Sequence, residues 1–160
     1  MKIQFNTLAT ASLAFALATG VSCAQEVHIP FSQLPPAVQQ AVQQQKSHGA
    51  TVRGYVRDRE NGRTEYEVET LRHGMTRDIS LDAAGHVLEV EQQVPLSQVP
   101  AAARAAIEKG AAGGHLIRVE KVTSSMSSEV AYEAGIRVNG RYREVRVHPD
   151  GSPAPESDAD

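Results

Sequence analysis

The strongest constraint in this sequence is an internal echo. Phe31-Ser32-Gln33-Leu34-Pro35 returns 65 residues later as Leu96-Ser97-Gln98-Val99-Pro100, and Ala37, Ala41 and Val42 return as Ala102, Ala106 and Ile107. Further along, the offset becomes 66: Tyr66-Glu67 matches Tyr132-Glu133, Gly74 matches Gly140, Arg77 matches Arg143 and Gly85 matches Gly151. One extra residue between Gly110 and Gly114 explains the change. So many matches in one order read as a duplicated unit, and whatever path one copy takes, the other is expected to follow.

Each unit opens with a predicted helix. Ser32 and Ser97 suit the capping of orphan N–H groups, and Pro35 and Pro100 suit a first turn, where no amide donor is needed. In the first helix Leu34, Val38, Ala41 and Val42 fall on one face while Gln39, Gln40, Gln43 and Gln44 point away. The second, Pro100 to Lys109, is Ala-rich and anchored by Ile107, with Gly49 and Gly110 as natural stops. Strands follow. Thr51–Asp58 leads into an Asn61-Gly62 hairpin turn. Thr64–Leu71 alternates Tyr66, Val68 and Thr70 with Glu65, Glu67 and Glu69. Met75–Leu81 and His86–Glu91 complete the first unit. Leu116–Thr123, Glu129–Ile136 and Tyr142–His148 repeat the plan, and the fourth strand is missing or very short. The expected fold is therefore α+β: two tandem helix-plus-antiparallel-meander units, 25–94 and 95–151, with helices on one face. Whether the two sheets run into one another stays open at this point.

The first 24 residues read as an address rather than as part of the fold. Lys2 precedes an apolar run from Leu8 to Leu17, too short to span a bilayer, and Ser22 and Ala24 occupy small-x-small positions. Cleavage after Ala24 and export to a bacterial periplasm or beyond are expected. Gly20-Val21-Ser22-Cys23 partly matches a lipoprotein signal, but Gly20 stands where a bulky aliphatic residue is expected, so a discarded cysteine is the favoured reading. Residues 152–160 form an acidic tail.

Composition then narrows the function. The 160 residues carry 16 basic and 19 acidic groups, which leaves no basic field for nucleic acid. A single cysteine excludes an internal disulfide and a Cys-based zinc site. No further apolar run is long enough for a membrane span. The sequence has no His-Glu-x-x-His, no phosphate-binding loop and no Gly-x-Ser-x-Gly elbow. His28, His48, His73, His86, His115 and His148 are scattered, and Asp58, Asp82 and Asp150 belong to separate turns, where Asp side chains commonly bond nearby backbone. No catalytic residue, metal or cofactor is expected from these patterns.

What remains is a charged sheet face. Alternation is expected to place Arg53, Tyr55 and Arg57 beside Glu65, Glu67 and Glu69, followed by Thr76, Asp78 and Ser80. The second unit contributes Arg118, Glu120, Glu133, Tyr142, Glu144, Arg146 and His148. One reading is plain cross-strand pairing of Arg53 and Arg57 with the glutamates. The other is a contact surface, with Arg53, Tyr55, Arg57, Glu65, Glu67, Glu69, Tyr142 and Arg146 as the candidate residues, since Tyr and Arg are enriched at interface hot spots. Arg77 and Arg143 fall on the apolar side, where they are expected to snorkel past the helix edge or meet a carboxylate.

The Leu-Pro-x-x-Val opening (Leu34 to Val38), the Tyr-Glu-Val-Glu strand (Tyr66 to Glu69) and the Asp-x-x-Gly turn (Asp82 to Gly85) together resemble the PepSY-like group, which includes β-lactamase-inhibitor-like periplasmic proteins. The resemblance covers roughly Phe31 to Gly151. The second unit departs from it at Ala103, at Ala134-Gly135 and at the Pro149-Asp150-Gly151 turn. It implies a secreted, non-enzymatic module that binds or inhibits proteins, peptidases among them. The expected function is thus an exported binding module engaging a protein or peptide through the open sheet face. The alternative is a periplasmic sensor of a metal or small ligand. Partner identity and oligomeric state are left open by the sequence.

Overall fold

Among the described residues, stretches of alternating character build eight strands: β1 (Val27–His28), β2 (Thr51–Glu60), β3 (Arg63–Arg72), β4 (Met75–Leu81), β5 (Val87–Gln93), β6 (His115–Ser124), β7 (Val130–Val138) and β8 (Arg141–Val147). Two helices interrupt them, α1 (Pro36–Ser47) and α2 (Ala101–Gly110). The structure, a computed structural model, describes residues 26–60, 63–125, 127 and 129–155. The expected export signal with Cys23, the Asn61-Gly62 turn and residues 156–160 of the acidic tail lie outside the described residues. No helix among the described residues is long and apolar enough to cross a membrane.

The expected α+β arrangement of two helix-plus-meander units is corrected here. The described residues form one antiparallel sheet of eight strands in sequence order, β1 to β8, with two short helices, and are mostly β. The joint is the pairing of β5 with β6, in which Glu89 to Gln93 run against Ser124 to Glu120. Separate meanders would each leave an edge of unpaired N–H and C=O groups there; joining them removes both edges. β1 is a further departure, a short strand ahead of α1 that pairs Val27 with Arg57 and His28 with Val56.

The helices begin differently from the expectation too. Ser32 and Ser97 make no cap; they sit inside 3-10 turns, Phe31–Gln33 and Leu96–Gln98, and Pro35 and Pro100 hold the cap positions. Each turn is closed by the same pair of bonds, Gln33 N to Pro30 O and Leu34 N to Phe31 O in one, Gln98 N to Pro95 O and Val99 N to Leu96 O in the other. The turns ahead of Gly85 and after Pro149 both need a left-handed glycine, at φ 82° for Gly85 and 84° for Gly151. A side chain there would also press into the backbone of Ala37 or Ala102 at the start of a helix.

Both helices cover one face of the sheet. Val38 and Val42 of α1 are wholly buried against Val68, Ile79 and Leu81. Ala103 and Ile107 of α2 are wholly buried against Val119, Tyr132, Ala134, Ile136 and Val147. Each fully buried aliphatic side chain contributes about 1.5–3 kcal/mol, so these two clusters carry the fold. The two apolar-side arginines meet helix ends rather than carboxylates: Arg77 Nη1 donates to Gln45 Oε1 at 3.1 Å, and Arg143 Nη2 donates to the Gly110 carbonyl.

Candidate docking face

The other face of the sheet is acidic. Cross-strand partners share a face, and the register pairs Glu67 with Ser80, Glu69 with Asp78, Asp78 with Glu91 and Glu91 with Val122. It continues by pairing Gln93 with Glu120, Glu120 with Glu133, and Glu133 with Arg146. Every strand from β3 to β8 therefore places at least one carboxyl group on this face. Several are deep: Glu120 is 1% exposed, and Glu89 and Glu133 are buried.

Two arginines hold part of this charge. Arg118 Nε lies 2.6 Å from Glu120 Oε2, and Thr76 Oγ1 donates to the other oxygen of Glu120 at 2.9 Å. Arg146 Nη2 lies 2.9 Å from Glu89 Oε2, and its Nη1 lies 3.6 Å from Glu133 Oε2. Two of these contacts reach over intervening strands, Thr76 to Glu120 from β4 to β6 and Arg146 to Glu89 from β8 to β5. Asp78 Oδ1 accepts from the Thr70 amide. Tyr142, exposed, donates its hydroxyl to Glu144 and lies over Gly135, where a Cβ would come within 2.8 Å of the hydroxyl. Glu69 uses the same device, its carboxylate lying over Gly54.

Crowding of like charges out of water sets the protonation of this face. Burial, then the charges of Glu133, Glu120, Glu89 and Glu67, push Glu91 up to about 9. Burial followed by Asp78, Glu69 and Glu26 raises Glu67 to about 7. Burial raises Asp78 to about 6 and Glu133 to about 7, the latter also through Glu144. Burial and the Glu144 carboxylate raise Tyr142 as well. At neutral pH Glu91 is thus a neutral acid, and Glu67 and Glu133 are poised near half protonation.

The structure separates the residues that sequence alternation grouped. Glu65, Glu67 and Glu69 lie on the acidic face together with Tyr142 and Arg146. Tyr55 and Arg57 lie on the helix side, across from Val68 and Tyr66. Tyr55 packs its ring 5.7 Å from that of Phe31, and Arg57 is solvent-exposed. Arg53 is the extra residue of a bulge between Val52 and Gly54, and it too is exposed. The bulge is the cause: one inserted residue inverts the alternation beyond it, so Val56 moves to the acidic face and Tyr55 and Arg57 leave it. Pairing of Arg57 with the glutamates is thereby excluded. Gly54, in mid-strand, was the available signal for such a bulge. Asp78, Arg118, Glu120 and Glu133, which the sequence places on the charged face without naming them as candidates, form the centre of the face together with Glu89 and Glu91, which the sequence reading did not place there.

The ligand oxygens of Glu91, Glu120 and Glu133 all lie within 4.8 Å of one another, a spacing open to a metal ion. Both oxygens of Glu120 are already engaged by Arg118 and Thr76, and Glu133 faces Arg146, so a cation there would compete with donors of the chain itself. The turn carboxylates bond locally, Asp82 to the His86 amide and Asp150 to the Ser152 amide, each at 2.9 Å. Two open pockets, of about 460 and 410 Å³, lie beside Lys46 and Tyr55 and between α2 and β8.

No family model matches the sequence, and no curated protein does. Solved structures do. A Bacteroides eggerthii protein described as periplasmic superposes with a TM-score of 0.58 at 15% identity, over 76% of this chain and 86% of its own. A DUF2874 family protein of Bacteroides uniformis gives 0.56 at 16%, over 76% and 86%. A BLIP-like protein of Bacteroides fragilis gives 0.53 at 16%, over 82% and 88%. The chain shares their fold. At such identity the likeness extends to the path of the backbone and not to the acidic face.

Proposed function

We propose that this protein is an exported, non-enzymatic binding module that engages a protein or peptide through the acidic sheet face, and that modulation of an exported peptidase is one form this takes. The observation that carries the reading is the contrast in covering. Both helices lie on one side of the sheet, while the other gathers carboxyl groups from β3 to β8 with Tyr142 and Arg146 among them. Holding acids together out of water costs stability, and groups perturbed in this way cluster at functional sites. The likeness in fold to periplasmic and BLIP-like structures supports this reading, as does the expected signal at Met1 to Ala24.

A photo-crosslinking residue placed at Tyr142 tests it against the same residue at Gln40, exposed on α1. Exposed to envelope extract of the producing organism, the Tyr142 variant is expected to give discrete adducts that the Gln40 variant does not. Equal adducts from both positions, or none from Tyr142, would refute the assignment of the face.

A further inference from the structure

The acidic face is incomplete in two chemically distinct ways. Its carboxyl groups outnumber its cations: Arg118 and Arg146 serve Glu120, Glu89 and Glu133, while among the described residues no ion pair reaches Glu67, Asp78 or Glu91. Separately, the Nε–H of Arg146 has no acceptor, although the side chain is only 9% exposed and sits between Glu89 and Glu133. A buried donor left unpaired costs about 1–3 kcal/mol. The Nε atom is sealed from the surface, so the deficit that a docked partner can meet is the one of positive charge. The carboxyl groups without an ion pair are spread over β3, β4 and β5, an arrangement that a row of lysine or arginine side chains matches and a single ion does not.

Resting on the reading of this face as a docking surface, we propose that its occupant is a basic, extended segment of a partner protein, with lysine or arginine side chains against Glu67, Asp78 and Glu91. Cations arriving there favour the ionised carboxylates and expel protons. Glu91 is faced by Glu67 from β3, Asp78 from β4, Glu120 from β6, and Glu133 and Arg146 from β7 and β8, with Glu89 on its own strand. All of these except Arg146 repel its charge, so binding is expected to tighten as pH rises through the neutral range.

The test uses fluorescence anisotropy of a labelled Lys-Ala alternating peptide and a matched Glu-Ala peptide, added to the full exported chain. The Lys peptide is expected to bind, to lose about tenfold or more in affinity in the double variant Glu67→Gln/Glu91→Gln, and to keep its affinity in Glu108→Gln on α2. It should weaken with salt and compete with crosslinking at Tyr142, while the Glu peptide does neither. Equal binding of both peptides, or unchanged binding in the double variant, overturns the proposal. So does calcium, at constant ionic strength, displacing the Lys peptide while binding tightly itself, which would make the cluster a metal site. Should Tyr142 adducts form but the Lys peptide fail to suppress them, the face docks a partner of other chemistry. Absence of Tyr142 adducts removes the docking reading as well.

Discussion

On the helix side of this sheet, Val68, Ile79 and Val119 meet Val38, Val42, Ala103 and Ile107, and each contact lowers the free energy of the fold. On the opposite side, at neighbouring register positions of the same strands, Glu67, Asp78, Glu91, Glu120 and Glu133 crowd together, and an arginine reaches only Glu120 and Glu133 of the five among the described residues. One side is self-sufficient. The other is held together by the backbone ladder and by two arginines, against the preference of carboxylates for water. The comparison teaches that the two sides answer to different demands: the apolar clusters stabilise the sheet, and that stability carries an arrangement which alone would fly apart.

The largest effect expected from breaking this contrast comes from the self-sufficient side. Ile107→Ala removes a wholly buried side chain from the α2 cluster and should cost about 2–5 kcal/mol, read as a lowered midpoint in urea unfolding. A loss below about 1 kcal/mol would mean that α2 adds little to holding the sheet.

A smaller, opposite effect is expected across the sheet. Glu91 titrates near 9 when folded against an ordinary 4.5, so between those values the folded chain binds more protons than the unfolded one. Stability from this group is complete below about pH 4.5 and is lost as pH climbs toward 9. Glu67 and Glu133 act with the same sign up to about 7. Urea midpoints are therefore expected to fall from mildly acidic to mildly alkaline buffer. Glu91→Gln, neutral at every pH, should flatten that fall and gain on the order of 1–2 kcal/mol over the unmodified chain in alkali. A parallel decline in both proteins would show that Glu91 does not feel its neighbours.

Much of the helix side was legible because its signals are local. Helical spacing of Val38 and Val42, and alternation of Tyr66, Val68 and Thr70 with the glutamates of β3, each need only a few residues to read. The β2 assignment failed at one residue, since the bulge at Arg53 inverts a pattern that period-two counting assumes unbroken. The acidic centre was legible only in part, since alternation places Asp78, Glu120 and Glu133 on the charged face but does not bring Glu91 to them. Glu91, Glu120 and Glu133 come together only because β5 joins β6 and β6 joins β7, a pairing between distant parts of the chain that no short window contains. Whether the two sheets join stayed open in the sequence for the same reason.

Carbon-detected NMR titration of the glutamate carboxyls in the free, unmodified protein tests the crowded face most directly. The account predicts that Glu91 ionises near 9 and Glu67 near 7, with Glu91 shifting downward when Glu133 is replaced by Gln. Midpoints for both near the ordinary 4.5, unmoved by that replacement, would mean that these side chains stand apart in water and that the face is not the strained, cation-seeking surface described above.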